Sequence, residues 1–493
     1  MSHIQSKPHS IFLVTVLFTL LFYQSVTNHL SAQTACLPVL RVNFDGPFYR
    51  GMDYVNGTMQ LTDTDGSVIE LPAKFKTRGA TAQQYMMKPA LNMKLRSADY
   101  SEEVDTMLLG IRSCSSWILD AMAIDRICMR NRVAFDIWNE FSRLPYDTEY
   151  GSRNGTEGSF VEVYINDVYY GIYDLSDRIN RNLLNLKKVK ENVDGSVQIR
   201  GVLYKNGTQD ILEQNEPGYN EDSTACVIEW HNAWELTYPD EYGGKAVWAP
   251  LQEAFDKGMS VDYIKKYFYL ENLADYQILV MALSISDNWG NKNHFLSVRN
   301  ITKDIDDRDP SEAARRKFVL TPWDLDTSLG GSFDGTCYDG SYWVFPLSTI
   351  VNIGFYPFVW IQGDDDYKAL LKHRWVEVRE GALSVESVKN KLEGYRDLFL
   401  ESGAWQRMVD HFEAQEEKPF YAKDLAREIE QIEKWYENRF LEMDAFFGIE
   451  DGVEMIMMPA ASGRAIYDIL GRKVESPVLA PGLYISDGKI IAQ

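Results

Sequence analysis

Cysteine and histidine are scarce in this chain, five and seven among 493 residues. The cysteines, Cys36, Cys114, Cys128, Cys226 and Cys337, form no CxxC pair, and the histidines form no HExxH, so the usual zinc spacings are missing. No GxSxG occurs, which argues against an α/β-hydrolase nucleophile elbow. Positive charge is also short: 50 Lys plus Arg face 72 Asp plus Glu, a formal net charge of −22. Such a surface repels nucleic-acid phosphate, and no nucleic-acid partner is expected. One long apolar run stands out, Ile11–Tyr23, and it falls short of the ~20 residues that span a bilayer.

That run has the layout of an export signal. Lys7 and His9 precede it, and Leu30-Ser31-Ala32 offers a small residue at the cut, so residues 1–32 are expected to be a signal peptide. The mature protein is then periplasmic, on the cell surface or secreted, with no transmembrane segment after signal removal. Thr34-Ala35-Cys36 loosely matches a lipoprotein site, although Gln33 stands where an aliphatic residue is usual, so outer-surface attachment stays open. Setting Cys36 aside leaves four cysteines, readable equally as disulfides or as buried thiols.

Aromatics are plentiful, 13% with 28 Tyr and 12 Trp, enough for a large core. From Leu37 to about Arg96, apolar and polar residues alternate around Asn-Gly and Asp-Gly turns, which predicts strands. Lys88–Arg96 alternates again. Ile124–Phe141 has helical period with Asp125 as a cap, and Ser159–Ser176 predicts a hairpin turning at Asn166-Asp167. Helices are predicted over Val261–Ser284, Asp365–Phe412 and Lys423–Phe447, with short strands at His294–Val298 and Lys317–Leu320. The loop 303–316 between them, with its DIDDRD run, reads as a solvated turn. A main domain over 33–450 and a small β-type segment over 455–493 follow from this pattern.

Two acidic clusters carry the chemistry. Asp287-Asn288-Trp289-Gly290-Asn291-Lys292-Asn293 ends a predicted helix, and Pro322-Trp323-Asp324-Leu325-Asp326 follows a predicted strand. Carboxylate and amide oxygens are the ligands Mg²⁺ prefers, and phosphoryl transfer needs both a metal and a carboxylate that orients the acceptor hydroxyl. Upstream, Lys76-Thr77-Arg78-Gly79 forms a basic, glycine-containing turn ahead of Lys88 and Lys94. Backbone N–H and ammonium groups there could contact phosphates. Lys88 and Lys94 are an even number of positions apart, so an undistorted strand puts them on one face. His294, beside Asn293, reads as a core residue. Tyr338–Trp343 reads as core packing that could also stack a base or sugar.

KTRGAT, KPALNMKLR, WILDAMAIDRICMRNRVAFDIW, VEVYINDVYYGIYDLSDRI, SDNWGNKNHFL and TPWDLDTSLG, in that order, resemble the CotH family of spore-coat-protein-H-like atypical kinases. The resemblance implies an α+β, divergent protein-kinase-like bilobal fold, with a β-rich N-terminal lobe and a helical C-terminal lobe. It implies ATP and Mg²⁺ as cofactors, and transfer of the γ-phosphate to Ser or Thr of partner proteins. Carried onto this sequence, Asp287 resembles the catalytic Asp, and Asn293 or Asn291 a metal-side amide. Asp324 resembles the metal-binding Asp, with Asp326 its competitor. Lys88 or Lys94 resembles the phosphate-contacting Lys, and Arg78-Gly79 the phosphate-side loop. Where the family often has Glu after GxYxL, this chain has Asp177, one methylene shorter. The tail IYDILGRKV…LAPGLYISDGKII is similar to C-terminal sorting segments of secreted Bacteroidetes proteins. Two other readings stand beside it: a noncatalytic surface protein that binds cell wall or glycan on a kinase-like scaffold, favoured by the departure at Asp177 and the scarcity of ATP outside the cell, and a metal-dependent phosphoester hydrolase that uses the same carboxylates.

Overall fold

Alternation of buried and open residues builds the first half of the chain. In the computed structural model, which describes residues 36–79, 84–146, 152–206, 225–227, 233–242, 245–256, 260–288, 293–302, 316–332, 361, 363–449, 466–468, 483–486 and 489–492, the early strands are β1 Val39–Phe44, β2 Val55–Thr62, β3 Val68–Thr77, β4 Leu91–Leu95, β5 Thr106–Leu108, β6 Ile111–Cys114, β7 Ser116–Asp120, β8 Gly158–Ile165 and β9 Val168–Asp177. Seven of them close a barrel in the order β1-β2-β3-β4-β7-β9-β8. Its seam is the parallel pairing of β1 with β8, Leu40 opposite Val163. Leu40, Met59, Phe75, Met93, Trp117 and Val161 fill the interior. The β8–β9 hairpin turns at Asn166 and Asp167, both at positive φ (48° and 62°), as a two-residue turn matched to strand twist requires. Asn166 Oδ1 also accepts the Phe44 N–H at 3.0 Å, tying the turn to the end of β1.

A second core surrounds the helix Leu270–Leu283, which is buried at every position from Asn272 onward. A helix covered on all sides belongs at a centre, and its polar members are paired there, Asp275 with Arg374 at 2.8 Å. Against it lies a five-stranded sheet of β12 Val202–Asn206, β13 Ala225–Val227, β14 Ala233–Tyr238, β15 His294–Val298 and β16 Phe318–Pro322, in the order β13-β14-β12-β15-β16. Short β10 Lys190–Glu191 and β11 Val197–Gln198 pair with each other. Helices Arg130–Phe141, Lys245–Asp256, Val261–Tyr267, Asp365–Arg379, Val385–Glu401, Ala404–Glu413 and Leu425–Phe447 complete the described helical part. The architecture is mixed α and β. Among the described residues, no helix is long and apolar enough to cross a membrane.

The two cores meet at small residues. Gly171 (φ 85°) lies where a Cβ would fall 2.6 Å from Met408 Cγ, so the helix Ala404–Glu413 can pack directly on β9. Phe160 of β8 meets Tyr395 and Phe399 edge-on, each at 4.8 Å.

Several expected boundaries shift for identifiable reasons. The predicted helix over Ile124–Phe141 starts only at Arg130. Asp125 sits a turn earlier and accepts the N–H groups of Ile127 (3.1 Å), Met129 (2.8 Å) and Arg130 (2.8 Å), satisfying donors that a helix start leaves open. The predicted helix over Val261–Ser284 breaks at Phe268-Tyr269, because the Tyr269 N–H donates to Phe318 O (3.0 Å) and Phe268 bridges to β16. Asp365–Phe412 divides into three helices, restarting at Ser384, whose hydroxyl caps Ser387 N–H, and at Gly403 in the left-handed region. In the tail, β17 Ile466–Asp468, β18 Leu483–Ser486 and β19 Lys489–Ala492 form a three-stranded antiparallel sheet. The signal segment, the DIDDRD loop and Tyr338–Trp343 lie outside the described residues.

Candidate active site

One helix positions both acidic clusters. Asn272 of Leu270–Leu283 holds β16 by its backbone, donating to Leu320 O (3.0 Å) and accepting Leu320 N–H (2.7 Å). Asn154 adds a second bond to Leu320 O at 3.0 Å. Strand β16 therefore delivers Trp323-Asp324 at a set height. The same helix ends at Ser284 (φ 51°), and three residues later the chain reaches Asp287. Tyr276 reaches down from it to donate to Asn288 O at 3.1 Å.

The clusters are then stitched together. Asn288 Nδ2 donates to Asn293 O (2.8 Å) and Trp323 O (2.7 Å), and Trp323 N–H donates to Asn293 O (2.9 Å). The Asp287 N–H donates to Thr327 Oγ1 at 3.2 Å. Asn293 Nδ2 donates to Asp287 Oδ2 at 2.9 Å, which leaves its own amide oxygen for other work. Asn293 and Asp324 both adopt positive φ, 62° and 58°.

The carboxyl groups of the two clusters act on each other electrostatically. Burial pushes the Asp324 carboxyl up to about 6, Arg78 pulls it down, and Asp120, Asp287 and Lys205 also act on it. Yet the Asp324 side chain reaches solvent. Both facts hold if the carboxylate lies on the floor of a concavity, with water on one side and protein on the others. Asp326 is held well above the usual carboxylate range, first by burial, then by the charges of Asp324, Asp120, Asp125 and Asp287. Like charges this close resist ionising together.

The cations divide differently from expectation. Arg78 is at the site, its guanidinium 5.3 Å from the Trp323 ring, and the exposed Gly79 beside it takes φ 84°. Lys88 is buried at 1% exposure. Its Nζ lies 3.8 Å from both Cys128 Sγ and Met408 Sδ, and 5.2 Å from the Tyr173 ring. Desolvation lowers its pKa, while Cys128, Asp120 and Asp125 hold it up. Lys94 lies elsewhere, 3.7 Å from Glu103 and 5.1 Å from the Tyr54 ring. The shared-face argument fails because β4 begins only at Leu91, so the strand's parity does not reach back to Lys88. Asp177 pairs with no lysine: Arg112 Nε (2.5 Å), Arg153 Nη2 (2.8 Å) and the Glu157 N–H (2.9 Å) occupy it. Asn291 lies outside the described residues. His294 is a core residue, edge-on to Trp234 at 5.7 Å.

Three residues escaped the sequence reading. Lys205 of β12 is partly buried, and its pKa is lowered by desolvation and by Arg78 while Glu235 and Asp324 raise it, so it faces the site from the sheet. Asp120 ends β7 and acts on Asp324, Asp326 and Lys88 alike. Asn131 donates to Asp120 Oδ2 and accepts Leu325 N–H, both at 3.0 Å. The aspartate closing WILD and the polar run Arg130-Asn131-Arg132 opening the helix were the available signals. Cys114 and Cys128 are free buried thiols, pushed up to about 12 and about 11 by burial.

A family model described as CotH kinase protein matches residues 75–442. No curated protein matches the chain. The match takes in the end of β3, the barrel strands after it, both acidic clusters and most of the last long helix, well over half of the sequence. The protein therefore belongs to the CotH kinase protein family.

Proposed function

We propose that this protein is an exported, Mg²⁺- and ATP-dependent phosphotransferase that moves the γ-phosphate to Ser or Thr hydroxyls of partner proteins. The barrel serves as the N-terminal lobe of a bilobal kinase-like fold and the helical part as its C-terminal lobe. One observation carries this reading: the Asp287 and Asp324 segments are bonded to each other through Asn288, Asn293 and Trp323, with the Arg78 guanidinium against the Trp323 ring.

The donor set suits a hard divalent cation, because it consists of carboxylate and amide oxygens. Asn288 Oδ1 is buried without a hydrogen-bond partner beside that set. Among the described residues no three His, Cys, Asp or Glu side chains are already gathered tightly enough to hold a metal. Asp324, with Asp326 and the Asn293 amide oxygen, would hold Mg²⁺, and bound there it would neutralise phosphate charge. Asp287, oriented by the Asn293 amide, accepts the proton of the acceptor hydroxyl. Arg78 and Lys205 bind phosphate oxygens. Lys88, buried against Cys128 and Met408, lies away from these oxygens.

The test is labelling of a mixed protein extract with γ-labelled ATP. Asp287→Asn and Asp324→Asn are each expected to lower transfer by ~10²–10³-fold with the fold intact; undiminished transfer in both discards the assignment. A binding-only reading, with a cell-wall or glycan ligand, draws on the occupation of Asp177 by two arginines. Calorimetry separates the two, since the enzyme binds Mg–ATP and the adhesin does not. Phosphate release without acceptor labelling indicates a hydrolase. The export signal and the sorting-like tail support a periplasmic, surface or secreted location.

A further inference from the structure

We propose that Asn131 is a positioning residue for this site, holding the acidic loop by its backbone and the Asp120 carboxylate by its side chain with the two ends of one amide. Its catalytic consequence rests on the phosphotransferase reading above; its geometry does not.

Asp324 is a non-glycine residue at φ 58°. That conformation costs about 1 kcal/mol or more and persists only where the surroundings over-determine it. The peptides on both sides of Asp324 are pinned. On one side Trp323 donates to Asn293 O and accepts from Asn288 Nδ2. On the other, Leu325 N–H donates to Asn131 Oδ1 at 3.0 Å. The first anchor belongs to the Asp287 segment. The second belongs to a different part of the chain, the first turn of Arg130–Phe141.

That turn is itself fixed. Asp125 accepts the N–H groups of Met129 and Arg130 and pairs with the Arg130 guanidinium. Arg130 also reaches the loop, with its Nε 3.5 Å from Leu329 O and its carbonyl accepting from Ser328 Oγ at 3.4 Å. Asn131 then joins two groups that need opposite partners: a carboxylate that needs a donor (Nδ2 to Asp120 Oδ2, 3.0 Å) and an N–H that needs an acceptor. Among uncharged side chains of this length, only an amide supplies both from one rigid plane. Aspartate would set a second negative charge against Asp120, and leucine would leave both partners open.

The test is amide hydrogen exchange at Leu325, with Leu329 as internal reference because its N–H is held by Leu283 O at 2.8 Å. In Asn131→Leu, exchange at Leu325 should quicken roughly tenfold, the loss of one buried hydrogen bond, while Leu329 stays unchanged. In Asn131→Asp, which keeps an acceptor, Leu325 should stay protected. Calorimetry should show Mg–ATP binding weakened in both variants. Unchanged exchange at Leu325 in Asn131→Leu, or Leu325 and Leu329 quickening together, overturns the proposal. A wild-type chain that neither binds Mg–ATP nor transfers phosphate sinks the functional reading and leaves exchange at Leu325 to decide the positioning claim.

Discussion

The pocket of Lys88 and the floor of Asp324 treat charge in opposite ways. Lys88 ends among two sulfur atoms and an aromatic ring, closed from water. Asp324 is also crowded by protein, yet it reaches solvent and faces Arg78 and Lys205. The first charge is sequestered. The second is presented. In a strongly acidic protein, recruitment of an anion depends less on the number of cations than on which of them are left facing open space.

The strongest way to break this comparison is at the presented carboxylate. Asp324→Asn should lower phosphoryl transfer by ~10²–10³-fold with little change in melting temperature, read by γ-phosphate labelling and thermal denaturation. The two lysines sharpen it further. Lys205→Met should cost ~10–10²-fold in kcat/KM for ATP. Lys88→Met, which exchanges a desolvated ammonium for a thioether among sulfurs, should leave melting unchanged or raise it, since an apolar replacement of a buried charge is often stabilising. Equal losses of transfer in both variants would erase the distinction between the two regions.

A third charge environment extends the comparison. Asp174 of β9 is 1% exposed, 3.9 Å from Arg132 Nη1, and neither of its oxygens has a hydrogen bond. Gly158 makes room for that pair: a Cβ there would stand 2.1 Å from Asp174 Oδ1 and 2.9 Å from Arg132 Nη1. Gly158→Ala should therefore destabilise by about 2 kcal/mol, measured by urea unfolding. The smallest effect is pH-dependent. Burial raises Asp174 to about 7, against 3.8 ordinarily, although Arg132 opposes the shift. The folded state then holds a proton that the unfolded chain releases, so this contribution to stability falls as pH rises towards 7 and is lost above it. Between pH 6 and 8 it should decline by about 1 kcal/mol, and Asp174→Asn should flatten that slope in unfolding curves taken across the range.

The features legible in the sequence were those written in neighbouring residues. The Asn166-Asp167 turn between alternating segments announced the β8–β9 hairpin. The oxygen-rich runs around Asp287 and Asp324 stood out as local clusters, and the structure joins them through Asn288 and Trp323. Features that depend on distant partners were not legible. The break at Phe268 comes from Phe318, fifty positions on, and helical period alone runs through it. Strands β12 to β14 are short and find their neighbours across the sheet, so local pattern gave them no outline. Lys205 and Asn131 carry no motif; only the register of β12 on β15 and the docking of one helix on one loop give them a role.

The barrel's seam has a consequence for how the chain is made. Leu40 must wait for Val163, well over a hundred residues later, before the cylinder can shut. While a ribosome is still working through that interval, β1 and β2 present an open hairpin edge with nothing to complete it. Long-separation contacts of this kind slow folding, so the nascent protein passes through a sticky interval whose length is set by translation speed as much as by stability.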